Sequence, residues 1–163
     1  MILLADRFDK YTFFWNGPFS QWYISDIKID GLTYNCCEQY MMAQKGRMFQ
    51  DMNTTCAVME TPLPREQKAL GRQVKNFNAY TWGAVARDIV YRGNVAKFEQ
   101  NKELEMILEK TAGTLIVEAS PYDTVWGIGM GEAEAVNTPH AQWRGTNWLG
   151  QVITEVRLQM FGV

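Results

Sequence analysis

The sequence predicts a mixed chain, mainly helical with a few short strands. Three observations carry this. Several stretches repeat apolar residues at helical spacing, the runs that read as strands are short, and turn signals such as Asn16-Gly17-Pro18 and Asp30-Gly31 punctuate the N-terminal part. With 163 residues and no linker, repeat or low-complexity segment, residues 1–163 read as a single domain that needs no disulfide or metal staple.

Composition narrows the classes. Hydrophobic residues make up 47% and charged residues 21%, which suits a compact protein and excludes a disordered one. No run approaches the roughly 18 apolar residues of a membrane span. The start, MILLADRFDK, lacks a basic segment followed by a long apolar one, so no membrane partner and a cytoplasmic, intracellular location are expected. A net charge of −2 gives no global attraction to nucleic acid, though it leaves room for a local basic patch. Cys36, Cys37 and Cys56 fit no metal-ligand spacing and His140 is the one histidine, so no metal or cofactor is expected. Triad chemistry would have to rest on that loop imidazole, which is more simply solvated.

From Tyr11 to Tyr23, aromatics surround Asn16-Gly17-Pro18, predicting two short extended pieces joined by a turn. Most of these rings belong in a core. Ser20, Gln21 and Trp22 are candidates for a ligand, because polar groups there flank a large flat ring. Ile27 and Ile29 alternate ahead of Asp30-Gly31, and Leu32 to Tyr34 returns as the second arm of a hairpin.

Asn35 reads as the N-cap of a helix over 36–49. Seven residues separate Glu38 from Lys45, so the two fall within about 20° on one face, about 10 Å apart along the axis. Met41 and Met42 lie between them at steps of three and four. A carboxylate and an amine on a largely apolar face are costly to bury unless used, and burial lowers a lysine pKa. The alternative is a solvated face with two unrelated charges, since Gln39, Gln44 and Arg47 supply other polar positions.

Pro62 and Pro64 introduce a further helix over 65–75 with Ala69 and Leu70 inward, and 76–80 reads as loop. Val85, Ala86, Ile89, Val90 and Val95 give a helix over 82–98, with Gly93-Asn94 as a bend. Lys97 near its end either reaches a pocket or complements the helix dipole. Asn101 can cap the next helix, striped by Leu104, Ile107 and Leu108 and stopped at Gly113.

The stretch Leu115 to Gly131, LIVEASPYDTVWGIGMG, organises the second half. Leu115 to Val117 reads as a strand that Ser120-Pro121 ends. The loop beyond it carries Asp123, Trp126, Gly127, Gly129 and Gly131: a carboxylate, an aromatic platform and bare backbone N–H groups suited to a phosphate-bearing small molecule. Tight turns and a core tryptophan are the alternative. Residues 132–144 read as an irregular surface flap. A last helix follows with Leu149, Ile153, Val156 and Met160 on one face, capped by Thr146 or Asn147. N–H groups left open at its start would bind an anion; ordinary capping is the competing fate.

Taken together, Glu38 with Tyr40, Gln44-Lys45, Trp82, Lys97-Phe98, Thr111 with Gly113, LIVEASPYDTVWGIG, and TNWLG with Arg157 resemble the NADAR superfamily, also called YbiA-like, from about Phe13 to Phe161. Two departures stand out. Ser20-Gln21-Trp22 replaces the frequent Ser-Asn-Phe, and Glu38-Gln39-Tyr40 replaces Glu-His-Tyr; both touch the expected pocket and bear on substrate identity more than on reaction type.

The resemblance implies a mainly α-helical α+β fold of YbiA-like type and hydrolysis of an N-glycosidic bond. Activities in such proteins include cleavage of ribosylamino-pyrimidine phosphates of riboflavin synthesis and removal of ADP-ribose from guanine. Both substrates join ribose C1 to a nitrogen outside the base ring. On this reading Lys45 forms a Schiff base with the sugar, and Glu38 or Asp123 moves protons; a pair of carboxylates without covalent lysine is the alternative. Trp22, Trp82 and Trp126 would stack on base or sugar, with Ser20, Gln21 and Gln44 beside them. Gly127, Gly129 and the helix start at Asn147 would receive phosphate. The implied partner is ADP-ribose, free or linked to DNA or RNA. A non-catalytic module that binds NAD or ADP-ribose is the reading from another class.

Overall fold

The structure, a computed structural model, describes residues 3–163. In chain order the elements are β1 (Tyr11–Phe14), β2 (Ile27–Ile29), β3 (Leu32–Tyr34), α1 (Cys37–Met48), α2 (Met52–Glu60), α3 (Pro64–Gly71), α4 (Ala79–Glu99), α5 (Lys102–Glu109), β4 (Leu115–Glu118), α6 (Glu132–Ala135) and α7 (Trp148–Phe161). The fold is thus α+β and mainly helical. Its contacts divide the chain into two compact units: the chain as far as Ser20 together with Glu103–Val163, and Gln21–Lys102.

In the first unit β1 runs parallel to β4, from Tyr11 opposite Leu115 to Phe14 opposite Glu118. Leu115, Ile116 and Val117 are all fully buried, as a continuous apolar run requires. α7 packs on this strand, and the Thr154 hydroxyl accepts the Ile116 N–H at 3.0 Å. The second extended piece expected after Asn16-Gly17-Pro18 does not form. Gly17 turns at φ +87°, the Ser20 N–H donates to its carbonyl, and Phe19 packs against Phe14 at 5.7 Å. Strand β1 therefore pairs far along the chain, not across that turn.

The flap over 132–144 is more ordered than its composition suggests. It contains α6, and Arg144 clasps Glu134 through two bonds of 2.8 Å. His140, expected to be solvated, lies between Asp6 at 3.0 Å and the Tyr11 hydroxyl at 3.3 Å.

The second unit is built around α1, whose residues from Cys37 to Ala43 are all buried. The β2–β3 hairpin forms as its Asp-Gly turn dictates, with φ of +52° at Asp30 and +80° at Gly31. α1 starts one residue later than the capping signal suggests. Asn35 instead donates to the Pro62 carbonyl at 2.7 Å and accepts from Gln67 at 3.0 Å, while the Gln39 side chain reaches back to the Asn35 N–H at 2.7 Å. The Glu38 N–H, an orphan of the first turn, finds the Gln21 carbonyl at 3.0 Å.

α2 has no counterpart among the elements read from the sequence. Asp51 caps it, accepting from the Thr54 N–H and hydroxyl, and the same carboxylate takes the Lys75 N–H at 2.9 Å. That bond ties the loop after α3 to the start of α2. α3 stops at Gly71, short of Lys75, and buries Gln67 and Gly71; Ala69 is exposed and Leu70 half-buried. A Cβ at Gly71 would collide with Met42 on α1, so the glycine sets a close approach of the two helices. α4 runs unbroken through Gly93-Asn94, where the missing side chain at Gly93 leaves room for the Tyr40 ring. Among the described residues, no helix is long and apolar enough to cross a membrane.

Candidate active site

Glu38 stands in the first turn of α1 and Lys45 in the last, along the stripe that their spacing requires. Glu38 is 6% exposed and Lys45 half-buried. Burial pushes the Glu38 carboxyl up to about 7, against the pull of Lys68, Lys45, a hydrogen bond with the Trp22 side chain, and Arg72. Burial also lowers the Lys45 pKa; Glu38 opposes that shift and Arg72 adds to it. An acid divided between its two forms near neutrality thus shares a helix face with an amine depressed toward its nucleophilic form. That pairing suits proton transfer combined with covalent attack at a carbonyl-like carbon.

Aromatic rings line the same region. The Lys45 Nζ lies 4.4 Å from the centroid of Phe77 and 6.0 Å from that of Trp82. Phe77 leans edge-on against Phe49, centroids 5.4 Å apart, yet remains 44% exposed. Trp22 is 41% exposed, and the Lys68 Nζ sits 5.9 Å from its ring. Gln21 acts through the backbone and through Asn94, whose amide donates to its side-chain oxygen at 2.9 Å.

Phe77, Lys68 and Arg72 were not among the residues singled out from sequence. Lys68 and Arg72 sit one turn apart, a spacing that places them side by side on a helix. Without Gly71 packed on Met42 nothing in the sequence says which helix they approach. Gln44, by contrast, lies about 120° around α1 from Glu38. Its oxygen accepts from Arg47 at 2.7 Å, and Arg47 also donates to the Tyr34 hydroxyl at 2.8 Å, so Gln44 belongs to a packing network. Lys97 is 1% exposed, its amine 5.5 Å from the Tyr23 ring, and burial lowers its pKa against the influence of Cys37 and Cys36.

The remaining candidates lie in the other unit. Ser20 ends its first segment. Asp123 folds back on its own loop, its Oδ1 accepting from the N–H groups of Val125 at 2.9 Å and Trp126 at 2.8 Å. Trp126 stacks edge-on against Trp148 at 5.5 Å. Gly127 is crowded by carbonyls, since a Cβ there would meet the Asp123 and Glu118 oxygens at 3.0 Å. Gly129 donates its N–H to the Asp123 carbonyl.

Most of the N–H groups expected to be open at the start of α7 are already bonded. Thr146, Asn147, Trp148 and Leu149 donate to the carbonyls of Thr124, Gly127, Val125 and Trp126. Asn147 itself is 3% exposed in the left-handed region, φ +54°, and bridges β4 by accepting from the Glu118 N–H and donating to the Ile116 carbonyl, both at 3.0 Å. The same unit carries a shallow surface groove lined by Leu4, Arg7, Glu155, Leu158 and Gln159, which includes none of the candidates. Among the described residues no cluster of histidine, cysteine and carboxylate side chains is placed to hold a metal.

This small α+β chain buries an acid and a pKa-lowered amine on one aromatic-lined helix face. Comparison with known proteins gives it a family. The NADAR domain matches residues 9–161, and the chain belongs to the NADAR family. It is 41% identical over 162 residues to "N-glycosidase R617" of Acanthamoeba polyphaga mimivirus, covering 91% of this chain and 95% of that one. It is 30% identical over 144 residues to "N-glycosidase YbiA" of Escherichia coli, 88% of this chain and 81% of that protein. The NMR structure of E. coli YbiA superposes with a TM-score of 0.76 at 28% identity, over 94% of this chain and 86% of that one. The protein is accordingly an N-glycosidase, a hydrolase of N-glycosyl compounds.

Proposed function

We propose that this N-glycosidase removes ADP-ribose from guanine, as the free nucleoside or within DNA or RNA, by cleaving the bond between ribose C1 and the exocyclic base nitrogen. The observation that carries the reading is the Lys45 amine, lowered by burial, on one helix face with a Glu38 carboxyl raised to about 7. A ribosylamine opens to an imine between C1 and the base nitrogen. The Lys45 amine adds to C1, the base leaves as its free amine, and a C1–Lys45 imine remains. Water then adds to C1, and expulsion of the lysine amine leaves the open-chain sugar aldehyde, which recloses to ADP-ribose. The net change is one water consumed and one C–N bond broken. Glu38 supplies a proton to the departing base nitrogen and takes one from the attacking water, two roles that a carboxyl titrating near neutrality serves. The exposed rings of Trp22 and Phe77, with Trp82 6.0 Å from the amine, support a substrate with more than one planar or sugar face to cover.

A second reading, hydrolysis of a ribosylamino-pyrimidine phosphate, is favoured by one relative. The chain is 29% identical over 140 residues to "Riboflavin biosynthesis protein PYRR, chloroplastic" of Zea mays, though it spans only 21% of that protein. Mass-spectrometric turnover on ADP-ribosyl-guanosine and on the ribosylamino-pyrimidine phosphate separates the two. Release of guanosine above an enzyme-free control supports the first reading; turnover of the pyrimidine alone replaces it with the second. Borohydride quenching is expected to leave a reduced sugar adduct on Lys45, absent from Lys45→Ala.

A further inference from the structure

We propose that Lys68 and Arg72, one turn apart at the end of α3, form the phosphate-binding side of the Glu38–Lys45 site. The proposal rests on the N-glycosidase reading for the rest of the site and adds the anionic half of the ligand. The Gly129 N–H and the four N–H groups from Thr146 to Leu149 already donate to carbonyls of their own loop, so that loop offers a phosphate fewer free donors than its sequence suggests.

The placement follows from packing. Gly71 lies against Met42, at the middle of the span between Glu38 and Lys45, so α3 approaches α1 alongside the acid–amine stripe. Lys68 precedes that contact on α3 and Arg72 caps the helix just after it, so the two cations flank the contact with α1. The Lys68 amine lies 5.9 Å from the ring of Trp22, the residue hydrogen-bonded to Glu38. Both cations also act electrostatically on Glu38, and Arg72 acts on Lys45 as well.

Charge then decides the ligand class. Neither Lys68 nor Arg72 forms an ion pair among the described residues. Lys45 must be neutral to attack, and Glu38 spends part of its time protonated, so two cations face the site with at most one partial counter-charge. A phosphate monoester or a diphosphate supplies the missing charge, with Arg72 offering a planar fork for two oxygens and Lys68 a point charge. The competing account is that basic residues simply complement the C-terminal end of the α3 dipole. It predicts effects on stability and none on anions.

Titration with inorganic pyrophosphate and with orthophosphate, followed by Trp fluorescence and calorimetry, tests this on the full chain. Wild-type protein is expected to bind saturably. Lys68→Ala and Arg72→Ala should each weaken binding by about tenfold, Arg72→Lys by less, and the double variant should lose saturation. Pyrophosphate bound more tightly than orthophosphate points to a diphosphate ligand; equal affinities point to a monoester. Failure of the wild type to bind either anion, or undiminished affinity in a double variant whose circular dichroism is native, overturns the proposal. Pyrophosphate has neither base nor glycosidic bond, so this result is independent of guanosine release. A protein that binds pyrophosphate through α3 but turns over no ADP-ribosyl-guanosine keeps the subsite and loses the substrate assignment.

Discussion

Two regions of this chain carry the residue types of an active site, and they put them to opposite uses. Along α1, Glu38 and Lys45 are desolvated side chains whose pKa values both move toward neutrality. In the loop between β4 and α7, Asp123 and Asn147 are bonded to backbone groups of their own unit, and the glycines serve carbonyl contacts and turns. A carboxylate that accepts backbone N–H bonds has its chemistry absorbed by folding. One that is buried and bonded to an indole keeps a proton to exchange. Residue type does not separate these fates. What separates them is whether the main chain claims the polar atoms first.

The comparison is broken most sharply at Lys45. Replacing it with alanine is expected to lower kcat by about a thousandfold or more while the melting temperature stays close to that of the wild type, because a covalent nucleophile is lost and the side chain is only half-buried. Single-turnover assays with intact-mass detection read both the rate and the trapped imine. A variant that retains wild-type rates would end the lysine mechanism.

Glu38 comes next, and its two readouts move in opposite directions. Glu38→Gln should reduce kcat by about 10² to 10⁴, the range for loss of a general acid–base group. Its effect on stability depends on pH. A carboxyl raised from 4.5 to about 7 favours the fold most when protonated, so its contribution is full below about 4.5 and is lost as pH rises through 7. Fully ionised, it destabilises the native state by about 3 kcal/mol, an order-of-magnitude figure from the size of the shift. Glutamine escapes that penalty. Thermal melts from pH 4 to pH 9 should therefore show the variant gaining on the wild type with rising pH. A constant difference would mean that Glu38 is not desolvated.

The loop region should respond as scaffold. Asn147→Ala removes two bonds to β4 and strains a left-handed backbone, a loss of about 2–4 kcal/mol read by urea denaturation. Turnover per folded molecule, measured well below the transition, should stay within about threefold of the wild type. Asp123→Asn keeps the oxygen that accepts from Val125 and Trp126, so the same limit applies to its rate. A hundredfold loss of kcat in Asp123→Asn at unchanged stability would return Asp123 to the chemistry.

Much of this was legible in the sequence where the signal is local. The seven-residue step from Glu38 to Lys45, the Asp30-Gly31 hairpin, the β-branched run of β4 and the period of α4 all depend on neighbours within a turn or two, and all form. Elements set by distant partners were not legible. β1 pairs with a strand beyond five helices, and the Asn35 side chain bonds to Pro62 and Gln67 instead of capping α1. The start of α7 shows the same dependence: it reads as a row of open N–H groups, whereas four carbonyls from residues 124–127 accept the N–H groups of Thr146 to Leu149. Lys68, Arg72 and Phe77 matter for where α3 and its following loop dock, which no spacing encodes.

Phe77 gives the smallest and most diagnostic effect. Its ring centroid lies 4.4 Å from the Lys45 amine, close enough for the negative face of the ring to favour the ammonium form. That attraction works against the desolvation that lowers the Lys45 pKa. Phe77→Leu retains an apolar cover and removes the quadrupole, so the amine should lose its proton more readily. A cation–π contribution of about 0.5–1 kcal/mol corresponds to roughly half a pH unit. The limb of the pH–rate profile on which kcat rises with deprotonation of Lys45 should move by that amount to lower pH, with kcat on the plateau little altered. A shift to higher pH would mean that Phe77 acts chiefly by keeping water away from the amine, making the ring a shield and Lys45 more dependent on burial than on its aromatic neighbour.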